Sequence, residues 1–531
     1  MKKSENEIKK FIDEHTKKIK PLFKKYTLAY WEATSFGKEE DYAEYEKLAL
    51  ELEKIYNNKE DYEKVKKFKQ EKIEDKLIRR QIDILHNSYL SSQGDIKLIE
   101  RIVNLSTKIE KKFNTYRAEV DGKKLTDNEI KNILKIELNS EKLKKTWEAN
   151  KKQGEFVAGE VIELVKLRNE LARSLEFKNY YERNLQLGEQ KPEEILEIFK
   201  ELEKLTDTPF KKLKEEMDDF LGKRYKTKKL EPWHYQDLFF QEGPEIFKFD
   251  LDKYFYTDVV EKARKFYNEI GLQVDDILKK SDLYEREGKY QHAYCMDIDR
   301  EGDVRIMENV KNDEKWMETS LHELGHAVYN KYIDMKLPFL LIDSAHTFTT
   351  EAIAMLFGRQ TKNINFIKRF SDIKLENEHE IREETEKMLK LRQLVFSRWA
   401  QVMMHFEKSM YENPEQDLNK LWWNLVKKFQ LIDFSRNKPD WASKIHLVSA
   451  PVYYHNYLLG ELLASQLHAY ICRNVLKTNP QEADYSDVRI GKFLVKEVFA
   501  PGKRYTWEEL IKRATGENLT AKYFSEQFCD N

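Results

Sequence analysis

The sequence predicts a mainly α-helical protein, and three observations carry that prediction. Only 17 Gly and 11 Pro punctuate 531 residues, a sparse supply of turn-formers. Charged residues reach 36% and mean hydropathy is -0.77, yet 40% hydrophobic and 12% aromatic residues leave ample material for a core. From the start to about residue 190, Lys/Glu-rich stretches with apolar residues at helical spacing follow one another, as long helices with polar outer faces require.

The N-terminal stretch MKKSENEIKKFIDEHTKKIKPLF interleaves charged and apolar residues, where a secretory signal needs an unbroken apolar run, so it reads as an amphipathic helix of a mature protein. The charge run from Lys66 to Lys76 reads as a solvated helix face. Thr126 with Glu129 has capping-box spacing before Ile130 and Ile133. Pro192 ahead of Glu193 and Glu194 marks another helix start, with Ile195, Leu196 and Phe199 on its buried face. Around Gly243-Pro244, and again from Ser281 to Gly302, the helical pattern breaks. Asp303 to Met307 then alternates like a short half-buried strand, so a small sheet is expected there. Helical periodicity resumes after Asn312-Asp313 and runs to the C-terminus, with loops near Pro338 and near Asn437-Lys438-Pro439. No internal repeat is evident. A length prior of roughly 150 residues per domain would allow about three units.

Charge and cysteine usage exclude several classes. Lys and Arg number 94 against 95 Asp and Glu, a formal net charge of -1, so no global field favours nucleic acid or a membrane surface. No segment offers the ~18 consecutive apolar residues that span a bilayer. Cys295, Cys472 and Cys529 are odd in number and scattered, which suits neither a disulfide framework nor a Cys-rich zinc site. These features predict a soluble, cytoplasmic protein in which any metal is held by His and carboxylates.

One pattern supplies such ligands. In Leu321-His322-Glu323-Leu324-Gly325-His326 the histidines stand one helical turn apart, with Asp313 as a cap upstream and Trp316, Met317, Leu321, Leu324 and Val328 near helical spacing. Two imidazoles on one helix face can share a tetrahedral zinc, and Glu323 lies beside the first of them, placed to act on an attacking water. With 12 His in the chain, chance would produce the motif in roughly a few per cent of shuffled sequences, so it needs a third ligand to carry weight. Glu351, 25 positions after His326, sits in the otherwise apolar run Thr347 to Leu356, where a carboxylate is costly unless paired or metal-bound. The pattern predicts zinc on His322, His326 and Glu351, with Glu323 as general base.

At this point the sequence resembles the angiotensin-converting-enzyme-like peptidyl-dipeptidases and, more distantly, the thimet oligopeptidase and oligoendopeptidase family. The likeness spans roughly residues 230 to 527. Its carriers are Gln291-His292-Ala293-Tyr294 with Gly302 to Ile306, the zinc helix through Tyr329, Glu351-Ala352-Ile353, and Lys444-Ile445-His446 running through Pro451 to Tyr454-His455-Asn456-Tyr457. The stretch Gly502 through Trp507 to Tyr523-Phe524 is similar as well. Pro451 can open a helix that puts Tyr454 and Tyr457 on one face. The resemblance implies that Tyr457 donates to the oxyanion with His446 assisting, and that His292 and Ala293 hold the substrate chain. It further implies that Lys444, Tyr454 and Gln236 bind a substrate C-terminal carboxylate.

The sequence also departs from that family. His446 lies one residue further from the tyrosine pair, which makes Tyr453 an alternative to Tyr454. Asn456 replaces the arginine linked to chloride activation, and the disulfide flanking the His-Ala segment is absent. Met355 stands where a carboxylate partner of the zinc ligands is expected, leaving Asp343 or His346 to fill that role.

The combined expectation is a two-lobed helical zinc metallopeptidase, a single catalytic unit over 1–531 whose two helical subdomains are divided by a deep central cleft walled by the small sheet. Residues 1–190 would include a charged helical lid, and 230–527 would carry the site. It would hydrolyse short peptides, releasing C-terminal dipeptides, as a monomer or simple homo-oligomer with no nucleic-acid or membrane partner. The rival readings are an oligoendopeptidase indifferent to the C-terminus and a helical binding scaffold with a silent zinc site.

Overall fold

Many helix starts follow side-chain chemistry in the computed structural model, which describes residues 3–247 and 249–529. Asn58, Asp75, Asp95, Asn139 and Asp313 each accept a backbone N–H in the first turn of the helix they open, satisfying donors that the helix itself leaves unpaired. The predicted capping box at Thr126 and Glu129 is formed in both directions, and Pro192 is the first residue of the helix Pro192–Tyr225. The chain is 70% helical, and its described strands make two antiparallel hairpins. The fold is mainly α, as predicted. No described helix is long and apolar enough to cross a membrane.

The chain divides into two compact units. The first comprises residues 1–93, 250–385 and 460–520; the second comprises 94–249, 386–459 and 521–531. Residues 1–190, expected to include a lid, are thus shared between the units, as are residues 230–527.

In the first unit the amphipathic N-terminal reading appears as the helix Lys3–Phe36, with residues 1 and 2 of the predicted stretch outside the described residues. Ile8, Ile12 and Ile19, at helical spacing, pack with Val65 and Phe68 of the helix Lys59–Gln70 and with Ile82 and Leu85 of the helix Lys76–Ser91. His15 on the same stripe is a buried core histidine, its Nδ1 bonded to the Tyr89 hydroxyl at 3.1 Å and its Nε2 without a hydrogen-bond partner among the described residues. The predicted sheet pairs Tyr294–Asp297 with Val304–Met307, Tyr294 opposite Met307. This hairpin packs against the helix Glu314–Lys331, the ligand helix. Met317, Leu321, Leu324 and Val328 form that helix's buried stripe. The next helix, Thr347–Gly358, crosses it where Gly325 faces Ala354: a Cβ at position 325 would lie 2.8 Å from the Ala354 Cα. Only glycine permits so close a backbone approach.

The second unit is built from the long helices Ser140–Ser174 and Pro192–Tyr225, the part of the helix Glu378–Glu412 beyond residue 385, and the helix Leu418–Gln430. Trp147, Trp233, Trp423 and Phe434 meet in one aromatic cluster. A hairpin of Ala118–Val120 with Lys123–Leu125 lies among the successive helical stretches, where the sequence reading expected no strand. Pro451 does not open a helix as predicted. The chain turns through Val452, whose φ is +56°, and the helix begins at His455.

Candidate active site

The predicted metal ligands come together in the first unit. His322 and His326 project from the ligand helix and Glu351 from the helix that crosses it, each half-buried. The His322 and His326 Nε2 atoms are 3.2 Å apart, and Glu351 Oε2 lies 3.7 and 3.8 Å from them. Donors about 2.0–2.1 Å from a tetrahedral zinc would stand roughly 3.3 Å from one another, so the triangle has the right size. Among the described residues these three form the one group of His, Cys, Asp and Glu whose donor atoms converge closely enough to hold an ion.

The donor chemistry also fits a cation. His326 Nδ1 is 2.8 Å from Thr350 Oγ1, and in the tautomer that donates this bond its Nε2 keeps a lone pair facing the group. Burial keeps the His326 imidazole neutral, its pKa well below the ordinary value. Burial likewise pushes Glu351 up to about 7, with the charge of Glu461 adding to the effect. Lone pairs converging in a poorly solvated site repel one another, and a divalent cation relieves that repulsion.

Glu323 is buried, one residue from His322. Burial first, then the charges of Glu308 and Glu351, hold its carboxyl well above the usual range, which makes it a ready proton acceptor. The ligand helix is anchored from behind: the Tyr267 hydroxyl donates to the Leu321 carbonyl, and the Ser320 hydroxyl donates to Glu308 Oε2 at 3.0 Å. His292 is exposed and Ala293 half-buried, immediately before the strand Tyr294–Asp297. The proposed substitutes for the missing carboxylate are engaged elsewhere. Asp343 pairs with Arg300 and Lys503, and His346 caps the helix that carries Glu351. Thr350, which the sequence reading passed over, is the group that meets His326.

The remaining predicted residues lie in the second unit. Lys444 is buried, with its Nζ 5.1 to 5.3 Å from the ring centroids of Trp399, Phe239 and Tyr454. Its Nζ donates to Gln241 Oε1 at 2.6 Å. Gln236 does not take that place: its Oε1 accepts the Glu245 amide at 2.8 Å. Burial lowers the Lys444 pKa to about 8, against the opposing charge of Asp237. Trp399 Nε1 donates to the Tyr454 hydroxyl at 2.6 Å, which leaves that phenol's proton available to another acceptor. Tyr454 stacks edge-on to both His446 and Tyr457, at 5.3 and 5.5 Å between ring centroids. Tyr453, the alternative, packs against Tyr457 at 5.1 Å. Burial lowers the His446 pKa to about 4, and its Nδ1 is buried without a hydrogen-bond partner among the described residues. Asn456 accepts from Gln190 at 2.8 Å.

Together the His-Glu-x-x-His helix and the crossing helix that carries Glu351 present a donor set of the size and chemistry that a divalent metal takes. The chain belongs to the angiotensin-converting enzyme family, whose model matches residues 2–231 and 246–528. The break between the matched segments removes 232–245, which holds both Gln236 and Gln241. The chain is also similar to "Carboxypeptidase 1" of Bacillus subtilis (strain 168), 24% identical over 264 residues. That match covers 44% of this chain and 50% of the relative, so the chain spans about half the length of the curated relative it matches.

Proposed function

We propose that the protein is a zinc peptidase that removes dipeptides from the C-terminus of short peptides. The convergence of His322, His326 and Glu351, with Glu323 on the same helix, carries this reading. The family membership and a relative named as a carboxypeptidase support it. When bound by those three side chains, zinc supplies Lewis-acid polarisation of the attacking water and the scissile carbonyl. Glu323 accepts the water proton on a carboxylate oxygen and returns it to the leaving amine. Tyr457 donates its phenolic hydrogen to the developing oxyanion, and the neutral His446 contributes a ring N–H. His292 holds a substrate carbonyl, and Ala293 offers its backbone.

Lys444 and Tyr454 take the C-terminal carboxylate. The supporting observation is a desolvated cation beside a phenol whose oxygen is already satisfied by Trp399. The three free cysteines favour a cytoplasmic setting, and short peptides are the only partner that the reading requires. The test pairs one peptide as free acid and as C-terminal amide, with products read by mass spectrometry with and without a chelator. Chelator-sensitive dipeptide release from the acid, much reduced from the amide, is the expected result. Equal internal cleavage of both would assign an oligoendopeptidase. Stoichiometric zinc with no cleavage would assign a silent scaffold.

A further inference from the structure

Between Lys444 and Tyr457 the backbone makes an unusual turn. A short helix, His446–Ser449, ends, the chain reverses through Pro451 and Val452, and the next helix starts at His455. Val452 has φ +56°, in the left-handed region that a β-branched residue rarely adopts. Such a conformation persists only where its surroundings over-determine it. Here the surroundings are buried polar side chains aimed at the backbone.

Arg168, 4% exposed, donates from Nη1 to the Leu447 carbonyl at 2.9 Å and from Nη2 to the Val448 carbonyl at 2.7 Å. It thereby satisfies acceptors that the short helix leaves open. Glu407, 3% exposed, accepts the Val452 amide at 2.7 Å. One turn beyond Glu407, Tyr411 offers its hydroxyl to Arg168 at 3.2 Å, which ties the two together. At the far side Gln190 bonds both His455 and Asn456 at 2.8 Å. A guanidinium and a carboxyl group are costly to bury, burial pushing Glu407 up to about 8, and apolar residues would fill the same space at less cost. Their hydrogen bonds go to the main chain of one turn, and that turn leads directly to Tyr454 and Tyr457.

We propose that Glu407 and Arg168 are positioning residues, which pin the two ends of the Leu447–Val452 turn and so fix the orientation of the Tyr454 and Tyr457 phenols. The consequence for turnover rests on the roles proposed above for those tyrosines; the structural effect does not. Removing Glu407 releases the Val452 amide, and the strained residue relaxes towards φ below zero. That relaxation rotates the following segment, and a displacement of about 1 Å at a reacting group costs on the order of 100-fold in rate.

The experiment uses the full zinc-loaded protein with 3-fluorotyrosine placed at position 454, and reads the fluorine line by NMR. In parallel, kcat and KM are measured on unlabelled protein. Glu407→Ala is expected to shift or broaden the line and lower kcat roughly 10-fold to 100-fold, with zinc content unchanged. Glu407→Gln keeps an acceptor for the amide, restores the line and stays within about threefold of the parent rate. Arg168→Lys keeps the charge but loses the fork across two carbonyls, and reproduces the change in the line. It also carries the test should Glu407→Ala not fold. An unchanged line in these variants overturns the proposal, as does a shifted line with parental kcat while Tyr457→Phe is slow. A shifted line with parental kcat when Tyr457→Phe is also parental leaves the pinning intact and removes the catalytic role of Tyr457 instead.

Discussion

The two units present opposite electrostatic problems. In the first, two imidazoles, that of His326 held neutral by burial, and a carboxyl group turn their donor atoms towards one another, and no lysine or arginine pairs with Glu351 among the described residues. In the second, the Lys444 ammonium is buried among aromatic faces and an amide oxygen, with no carboxylate in ion-pair contact among the described residues. Each site is short of one sign of charge. The difference accords with the ligands proposed for the two sites, a cation at the first and a carboxylate at the second.

The comparison predicts separable losses. The largest is expected for Glu323→Gln, which leaves the donor triangle intact: kcat should fall on the order of 1,000-fold with zinc retained by elemental analysis. A rate near that of the parent would remove the base assignment. Thr350→Val should act on the first site without touching the acid–base group. It should weaken zinc by roughly 10-fold to 100-fold in competition with a chromophoric chelator, and leave kcat close to parental at saturating metal. At the second site, Lys444→Met should raise KM for a free-acid peptide by about 10-fold to 100-fold and leave the amidated peptide unaffected. A similar rise for both peptides would mean that Lys444 supports packing alone. The same distinction appears in pH dependence. The Lys444 cation exists below a pKa of about 8 and is lost as pH rises through it, so KM for the free acid should climb above pH 8 while that for the amide stays level. The smallest effect is expected from chloride. Asn456 offers no charge to an anion and is bonded to Gln190, so rates with and without chloride at constant ionic strength should agree within about 1.5-fold.

How much of this was legible in the sequence depended on whether the signal was local. Caps, a proline at a helix start and the one-turn spacing of His322 and His326 are governed by neighbours within four residues, and each appears where the sequence puts it. The strand at 304–307 was readable from its alternation. The hairpin at 118–125 also carried a local mark, Asp121-Gly122, whose φ values of +50° and +79° are those of a tight hairpin turn; the surrounding Lys/Glu helical pattern masked it. Glu351 was legible because a carboxylate in an apolar helix is costly on its own. Gln241 and Thr350 were not, since ordinary polar residues acquire meaning only from the groups that folding brings to them. The turn at Val452 was hidden for a similar reason: a valine does not advertise positive φ, and Pro451 pointed to a helix start four residues too early. What enforces the turn is Glu407, 45 positions away in sequence.

The crossing at Gly325 and Ala354 has a further consequence for how metal arrives. With the two main chains in contact, the separation of the helices that carry the imidazoles and the Glu351 carboxylate is fixed at the backbone. For the zinc site proposed above, the two ligand-bearing helices would therefore be held together by the fold itself rather than by the ion. Small zinc modules assemble around their ion and show it calorimetrically. Here uptake should be a rapid, single-step association with little change in heat capacity or circular dichroism, and the metal-free protein should melt as a folded one.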